Sequence, residues 1–132
     1  MGQSGQSAQS QLWLDVDAAV QCNLAIADTC IQTDKITAAL KSLDAVASLD
    51  KIQSVSYEMY GLCMEKEQAF DDAVKYYESA WLLSKGSPSV AYRLAYNYMK
   101  ANKYQDAILM CQAALNEWPT FNKLKNEVLY KA

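Results

Sequence analysis

Small and large apolar residues recur along this chain with a period of 34 residues. In the stretch 57–80, the small residues Gly61 and Ala73 are flanked by large apolar residues three or four positions apart, which is the spacing of one helix face. A small residue on such a face lets a second helix pack closely against it. Each position has a residue of similar size one period later: Gly61 returns as Ala95, Met64 as Tyr98, Phe70 as Tyr104, Ala73 as Ala107 and Ala80 as Ala114. The pattern therefore predicts a repeated helix–turn–helix unit.

Helical hairpins of this length are typical of the tetratricopeptide repeat (TPR). The pattern predicts a degenerate first repeat and two clearer ones, at about 20–53, 54–87 and 88–121. Turns within repeats are expected at 33–35 and 66–69. Gly86 followed by Pro88 predicts a boundary between repeats, because glycine often ends helices and proline often begins them. The predicted fold class is all-α, a TPR solenoid of antiparallel helix pairs.

The two ends of the predicted solenoid differ in character. Phe121, Leu124 and Val128 share one helix face and predict a C-terminal capping helix at about 120–131, since the last repeat of a solenoid needs its open apolar face covered. Residues 1–11 are polar and are predicted to form a flexible lead.

The solenoid is therefore expected to occupy residues 12–132. Its first helix is apolar on too many sides for a solvent-facing cap, because Trp13, Leu14 and Val16 precede the first repeat. We hypothesise that Trp13 and Leu14 pack against preceding repeats or a partner, so that the chain is a C-terminal fragment or an obligate subunit.

Composition and charge argue against several classes of ligand. The net charge is −3 and no basic stripe is present, which disfavours nucleic acid as a partner. Histidine is absent and the four cysteines form no C-x-x-C pair, so no metal or other cofactor is expected; the cysteines are interpreted as free thiols in a reducing compartment. No apolar run approaches the roughly 20 residues of a membrane span. The sequence predicts a cytosolic protein without direct membrane insertion and without a recognisable signal peptide.

The sequence also lacks the groups that usually carry catalysis. No histidine, pocketed carboxylate pair or activated cysteine is gathered in one place, and the glycines form no phosphate-binding loop. Asp71 and Asp72 have two interpretations, a metal or acid–base site, and favourable charges at the positive end of a helix dipole; the second is preferred. The chain is predicted to be non-enzymatic, with no small-molecule substrate.

A protein-binding groove is expected along the first helices of the repeats, which line the concave surface of such solenoids. The candidate partner-binding residues are Glu58, Glu65, Lys66, Tyr92, Tyr96 and Met99, together with Trp13 and Leu14 at the N-terminal end. The tyrosines have an alternative interpretation as core or inter-repeat packing. A cationic clamp for a peptide carboxylate is disfavoured, because of its expected positions only Arg93 has a suitable residue, and Asp28 would repel the ligand.

One family resemblance goes beyond the generic repeat. It is carried by YEMYG at 57–61, MEKEQ at 64–68, DAVKYYESAW at 72–81 and LAYNYMK at 94–100. These segments closely resemble the last repeats of the tetratricopeptide repeat protein 21 family, and the likeness covers about residues 20–132. The MEKEQ run is the most specific part, because the repeat pattern does not dictate a turn of that sequence.

The resemblance implies a much longer parent solenoid that serves as a structural arm of intraflagellar transport complex A. It implies a scaffold role in retrograde transport and membrane-protein entry, in the cytoplasm and in the axoneme and basal body of the cilium or flagellum. The implied partners are other subunits of that complex. The alternative is a free-standing TPR adaptor or co-chaperone, which would need a polar N-terminal cap and a ligand clamp.

Overall fold

The computed structural model describes residues 2–49, 53–84 and 86–117, with side chains described between residues 15 and 116 of these ranges. The described residues form helices without any strand: α1 (Gly2–Gln32), α2 (Ile36–Leu49), α3 (Ser54–Lys66), α4 (Phe70–Ser84), α5 (Pro88–Lys100) and α6 (Tyr104–Glu117). Each helix packs most closely on its neighbour in sequence, so that α1 pairs with α2, α3 with α4, and α5 with α6. The predicted all-α repeat architecture is confirmed.

The turns inside the three helix pairs have the same backbone structure. Asp34, Gln68 and Asn102 follow one another at 34-residue intervals, and each has a positive φ, at 62°, 61° and 63°. After each of them a backbone N–H donates to the carbonyl five residues earlier, at 2.7, 2.8 and 2.7 Å. This left-handed residue with its backward hydrogen bonds is the Schellman helix ending. The 34-residue period of the sequence is therefore a period of the backbone as well.

The core consists of two clusters of buried side chains. The first is built from α1 and α2 with Cys63 of α3, and the second from α4, α5 and α6. Met64 of α3 packs against both clusters and so joins them. In α2 the buried side chains are three or four positions apart, which gives that helix one apolar face: Ile36, Ala39, Leu43 and Val46.

Gly61 makes room for an aromatic ring. A Cβ built on Gly61 would lie 2.7 Å from the ring of Tyr77, which is fully buried. The size pattern predicts a close approach of two helix backbones at Gly61, whereas the structure shows the ring of Tyr77 against the glycine. One period earlier the corresponding positions hold Ala27 and Leu43, both fully buried in the first cluster. Compared with the pair Ala27 and Leu43 of the first repeat, the second repeat has a larger residue on α4, Tyr77, and a smaller residue on α3, Gly61.

The N-terminal residues differ from the sequence-based expectation. Residues 2–11, predicted as a flexible lead, form the first turns of α1. Extending an existing helix adds about one hydrogen bond for each residue fixed, which favours the extension, whereas Gly2, Gly5 and the serines oppose it. The predicted capping helix at about 120–131 lies outside the described residues, as do the side chains of Trp13 and Leu14, so these expectations stay predictions.

Candidate partner-binding groove between α3 and α5

Glu65, at the C-terminal end of α3, is contacted from two other helices. Asn97 on α5 donates from Nδ2 to Glu65 Oε1 at 2.8 Å, and the hydroxyl of Tyr77 on α4 donates to the same oxygen at 3.5 Å. Arg93 on α5 places Nη1 3.7 Å from Glu65 Oε2. This carboxylate therefore joins the first helix of one repeat to the first helix of the next.

Asn97 holds this contact in a fixed geometry. Its side chain is fully buried, and Nδ2 also donates to the backbone carbonyl of Arg93 at 2.8 Å. Both amide hydrogens are thus engaged, which sets the orientation of the side chain. Its Oδ1 is buried and has no hydrogen-bond partner within the described part of the chain.

Tyr77 reaches the groove from α4 because Gly61 leaves space for its ring. Burial is the main cause that raises the pKa of the Tyr77 hydroxyl well above its usual value, and the charge of Glu65 adds to it. This shift favours the protonated hydroxyl, the form that donates to Glu65. A residue of the core thus also contributes a polar group to the groove.

Glu58 adds a second carboxylate two turns earlier on α3. It is partly buried, and this burial raises the pKa of its carboxyl, while the positive charge of Arg93 acts in the opposite direction. Glu65 pairs with the same guanidinium. Arg93 therefore forms an ion pair with Glu65 and also interacts electrostatically with Glu58.

A cavity of about 190 Å³ opens at this point, lined by Glu65, Tyr92, Arg93 and Tyr96. Tyr92 is 71% exposed, and Tyr96 is partly buried. The ammonium of Lys100 lies 5.5 Å from the centre of the Tyr96 ring, a cation–π geometry. The cavity combines two tyrosine rings, the guanidinium of Arg93 and the carboxylate of Glu65. Tyrosine and arginine are enriched at protein interfaces, whereas glutamate is depleted there.

The structure brings together part of the predicted partner-binding set. Glu65, Tyr92 and Tyr96 line the cavity, and Glu58 lies close enough for its charge to interact with Arg93. Lys66 and Met99 are exposed at the ends of α3 and α5 and do not line it. The exposure of Tyr92 excludes core packing as its explanation. Whether these residues bind a partner stays a prediction.

Sequence reasoning missed the polar groups that complete the groove. The sequence pattern relates Arg93 only to a carboxylate clamp and assigns no site role to Asn97 or Tyr77. A signal was present in the repeat itself. The positions of Glu65 and Asn97 hold Ile31 and Cys63 one period earlier, so two apolar positions become polar together.

Other candidate chemistry receives no support within the described residues. Asp71 and Asp72 are exposed in the first turn of α4, and no group of three potential metal ligands occurs in the described part of the chain. None of the helices described combines the length and the apolar character that crossing a bilayer requires.

A larger apolar cavity of about 680 Å³ lies between α5 and α6. Its walls include Pro88, Ala91, Cys111, Ala114 and Leu115. The predicted capping helix, which is expected to cover an open apolar face at this end of the solenoid, lies outside the described residues.

Solved structures with a similar fold are helical-repeat proteins. MamA aligns with a TM-score of 0.71 at 17% identity, covering 79% of this chain and 57% of that one. The Yersinia enterocolitica type III secretion translocator chaperone SycD aligns with a TM-score of 0.69 at 20% identity, covering 86% and 88%. The N-terminal domain of stress-induced protein-1 from C. elegans aligns with a TM-score of 0.69 at 17% identity, covering 84% and 94%. At these identities the likeness concerns the fold.

Sequence comparison identifies relatives over most of the chain. Tetratricopeptide repeat protein 21B of Mus musculus is 41% identical over 110 residues, which is 83% of this chain and 8% of that protein. Tetratricopeptide repeat protein 21A of Mus musculus is 39% identical over the same length, and the tetratricopeptide repeat protein 21 homolog of Caenorhabditis elegans is 35% identical over 119 residues, 9% of its length. The chain thus spans less than a tenth of these relatives. Residues 8–132 match the family model of the tetratricopeptide repeat protein 21 C-terminal ARM domain, and the chain belongs to this family.

Proposed function

We propose that this chain is a non-catalytic scaffold module of intraflagellar transport complex A. In this role it supports retrograde transport, in the cytoplasm and in the axoneme and basal body of cilia or flagella. Its partners are other subunits of that complex, bound through the groove and through the N-terminal end of the solenoid. Family membership and a helical-repeat fold support a protein-interaction scaffold.

The single observation that carries a binding role is the exposed, chemically mixed groove between α3 and α5. A solenoid that served only as a spacer would need no partly buried carboxylate, because burying such a group costs free energy. Here Glu58 is partly buried and interacts electrostatically with Arg93, and Tyr92, which lines the cavity with Arg93, is 71% exposed. Tyrosine and arginine are enriched among the residues that contribute most of the affinity of an interface.

The groove fits the alternative of a heat-shock adaptor less well. Binding the carboxylate at the end of a peptide needs several unopposed cations. Arg93 is already opposed by Glu65 and Glu58, and Asp28 is exposed on α1, where it accepts a hydrogen bond from Gln32 at 3.1 Å. The arginine at the expected clamp positions is therefore already paired within the chain.

Affinity capture tests the proposed function. The tagged chain is incubated with a lysate of ciliated cells, and the recovered proteins are identified and quantified by mass spectrometry. We expect other complex A subunits in a stable ratio. A matched control is Leu94→Asp, which places a charge at a fully buried core position and should unfold the repeats. Recovery of heat-shock proteins in place of complex A subunits would favour the adaptor, and equal recovery by the control would reject a specific scaffold.

A further inference from the structure

The second helix of a repeat has an apolar face that the following helix covers, as α4 shows. Four residues of this face are buried: Ala73, Val74, Tyr77 and Ala80. The first three belong to the same core cluster as Leu94 and Ala95 of α5, the first helix of the next repeat. The apolar face of α4 is therefore covered by the helix that follows it in the chain.

The equivalent face of α6 is exposed. One period after the buried residues of α4, it contains Ala107, Ile108, Cys111 and Ala114. Ile108 is 50% exposed, whereas Val74 at the equivalent position of α4 is 1% exposed. Cys111 is exposed as well, and the two alanines are only partly buried. An exposed apolar face of this kind marks a surface on which another segment packs.

The cavity of about 680 Å³ beside this face contains smaller residues than the second repeat has at the same positions. Three lining residues correspond to aromatic ones: Ala91 to Tyr57, Cys111 to Tyr77, and Leu115 to Trp81. Each of these differences removes side-chain volume from the third repeat. Because protein interiors are close-packed, large side chains from outside α5 and α6 are expected to fill a space with apolar walls.

The residues that follow α6 supply large apolar side chains next to the cavity. The helix is described as far as Glu117, and Leu115, two residues earlier, lines the cavity. Trp118 and Phe121 are the first large apolar residues after that point. Positions 111, 115 and 118 also have the spacing of one helix face. The chain therefore continues beside the cavity with aromatic residues.

The 34-residue period aligns the rest of this segment with α5. Three of its apolar residues correspond to buried residues of α5: Leu124 to Val90, Val128 to Leu94, and Leu129 to Ala95. Asn126 corresponds to Tyr92, which is 71% exposed. Lys125 is the exception, because it corresponds to the buried Ala91; a lysine can bury its aliphatic part and keep its ammonium in water. The segment thus has the apolar side that covers α4 in the preceding repeat.

We propose that residues 118–129 of this chain dock on the apolar face of α6 and fill the cavity beside it. The rings of Trp118 and Phe121 enter the cavity, and Leu124 and Val128 lie against the face. This arrangement gives the capping helix that the sequence predicts a defined binding surface. It also leaves partners to the groove and to the N-terminal end of the solenoid. The proposal is independent of the scaffold role, because it concerns contacts within one chain.

Methyl NMR on the whole chain tests these contacts directly. Alanine, leucine and valine methyl groups are labelled, and nuclear Overhauser effects (NOEs) are measured between them. We expect NOEs from Leu124 and Val128 to Ala107 and Ala114, and from the aromatic rings of the segment to Leu115. If the segment gives no NOE to α6, the proposal is overturned and the face is left to another protein.

A mixed sample distinguishes the chain's own segment from a second copy. Labelled and unlabelled chains are combined, so that NOEs between chains are separated from those within a chain. We expect contacts within the chain and a monomer in sedimentation equilibrium. NOEs between chains, together with a dimer, would assign the face to a second copy and reject the proposal.

Two variants measure what the contact contributes to stability. Leu124→Asp places a charge in the proposed contact, whereas Asn126→Asp places the same charge on the side aligned with the exposed Tyr92. We expect Leu124→Asp to lower the melting temperature by about 5 °C or more and to lose the NOEs to α6, with Asn126→Asp unchanged. Circular dichroism shows whether each variant is folded. Equal melting temperatures for the two variants would show that the segment does not pack on the repeats.

Discussion

The two junctions between repeats use the same positions in opposite ways. At the junction of α1 and α2 with α3, Ile31 and Cys63 are buried in one apolar cluster. One period later, at the junction of α3 and α4 with α5, the equivalent positions hold Glu65 and Asn97, which are joined by a hydrogen bond. The turns inside the repeats are alike, whereas the side chains at these two junction positions differ.

A position at which one repeat packs on the next can therefore hold either an apolar or a polar side chain. A buried hydrogen-bonded pair and a pair of packed apolar side chains are close in net stability when each is complete, while half of a polar pair is costly. The first junction therefore serves as packing. At the second junction the equivalent positions hold the polar pair Glu65 and Asn97, and a cavity lies beside Glu65. The candidate site is therefore at the second junction.

The largest expected difference concerns thiol reactivity at the first junction. Burial, followed by the nearby charge of Glu67, raises the pKa of the Cys63 thiol to about 11 from an ordinary value of 9.0. Two pKa units mean about a hundredfold less thiolate at pH 8, and the thiolate is the reactive form. Cys63 should therefore react with iodoacetamide at least a hundredfold more slowly in the folded chain than in urea, as measured by mass spectrometry. The exposed Cys22 and Cys111 are internal controls, and equal labelling of all three in the folded chain would contradict the buried position.

Gly61→Ala tests the fit between helix and ring in the second repeat. The added Cβ would lie 2.7 Å from the fully buried Tyr77 ring, so we expect a loss of roughly 2 to 3 kcal/mol in the free energy of unfolding by urea denaturation. Combining it with Tyr77→Leu recreates the Ala27 and Leu43 pairing of the first repeat. The double variant should be more stable than the sum of the two single losses predicts; strict additivity would show that the ring and the glycine are not coupled.

Asn97→Cys replaces one residue of the polar pair by cysteine, the residue at the equivalent position of the apolar junction. Removing the amide leaves Glu65 without its 2.8 Å donor, and we expect a loss of about 2 kcal/mol by thermal or urea unfolding. Adding Glu65→Ile completes the exchange for the residues of the first junction and should bring stability to within about 1 kcal/mol of the wild type, because no partner is then left unpaired. A double variant less stable than Asn97→Cys would show that the backbones of the two junctions differ.

The smallest expected effects come from a contact that both junctions share. Tyr60 donates to Asp44 at 2.5 Å, and Tyr98 donates to Glu78 at 2.7 Å, where the two carboxylates are one period apart. Tyr60→Phe and Tyr98→Phe should each cost about 1 kcal/mol or less in urea unfolding, because these hydrogen bonds are solvent-accessible. Tyr92→Phe is the matched control, since no hydrogen bond of its hydroxyl is described, and it should be neutral. Unequal losses at the two junctions would indicate that the contact is not a shared feature.

Much of the fold could be predicted from the sequence because it follows from local residue size. The 34-residue period predicts the turns near Asp34 and Gln68, and the recurring small residues Ala73 and Ala80 predict close packing on α4, where both are fully buried. Residues 2–11, expected as a flexible lead, continue α1 in the structure. A polar segment carries little information on whether a neighbouring helix extends through it.

The candidate site was harder to predict because its contacts join residues far apart in sequence. The hydrogen bond between Glu65 and Asn97 spans 32 residues, and it depends on how the two repeats are rotated against each other. The repeat register placed Tyr92 and Tyr96 on the groove helix, but it did not decide between exposure and packing. The spacing of large apolar residues is consistent with a buried Tyr77 ring. The hydrogen bond from its hydroxyl to Glu65 depends on how α4 packs against α3, which the spacing does not determine.

The turns at Asp34, Gln68 and Asn102 have nearly the same backbone conformation, which favours the gain or loss of whole repeats during evolution. Removing or duplicating a segment from one of these residues to the next joins two backbones that already have the same conformation. Neither flanking helix would have to shift its rotation about its own axis to accommodate the new connection. Solenoids with this turn can therefore gain or lose whole repeats by a single genetic event. Any loss of stability then comes from the side-chain contacts at the new junction.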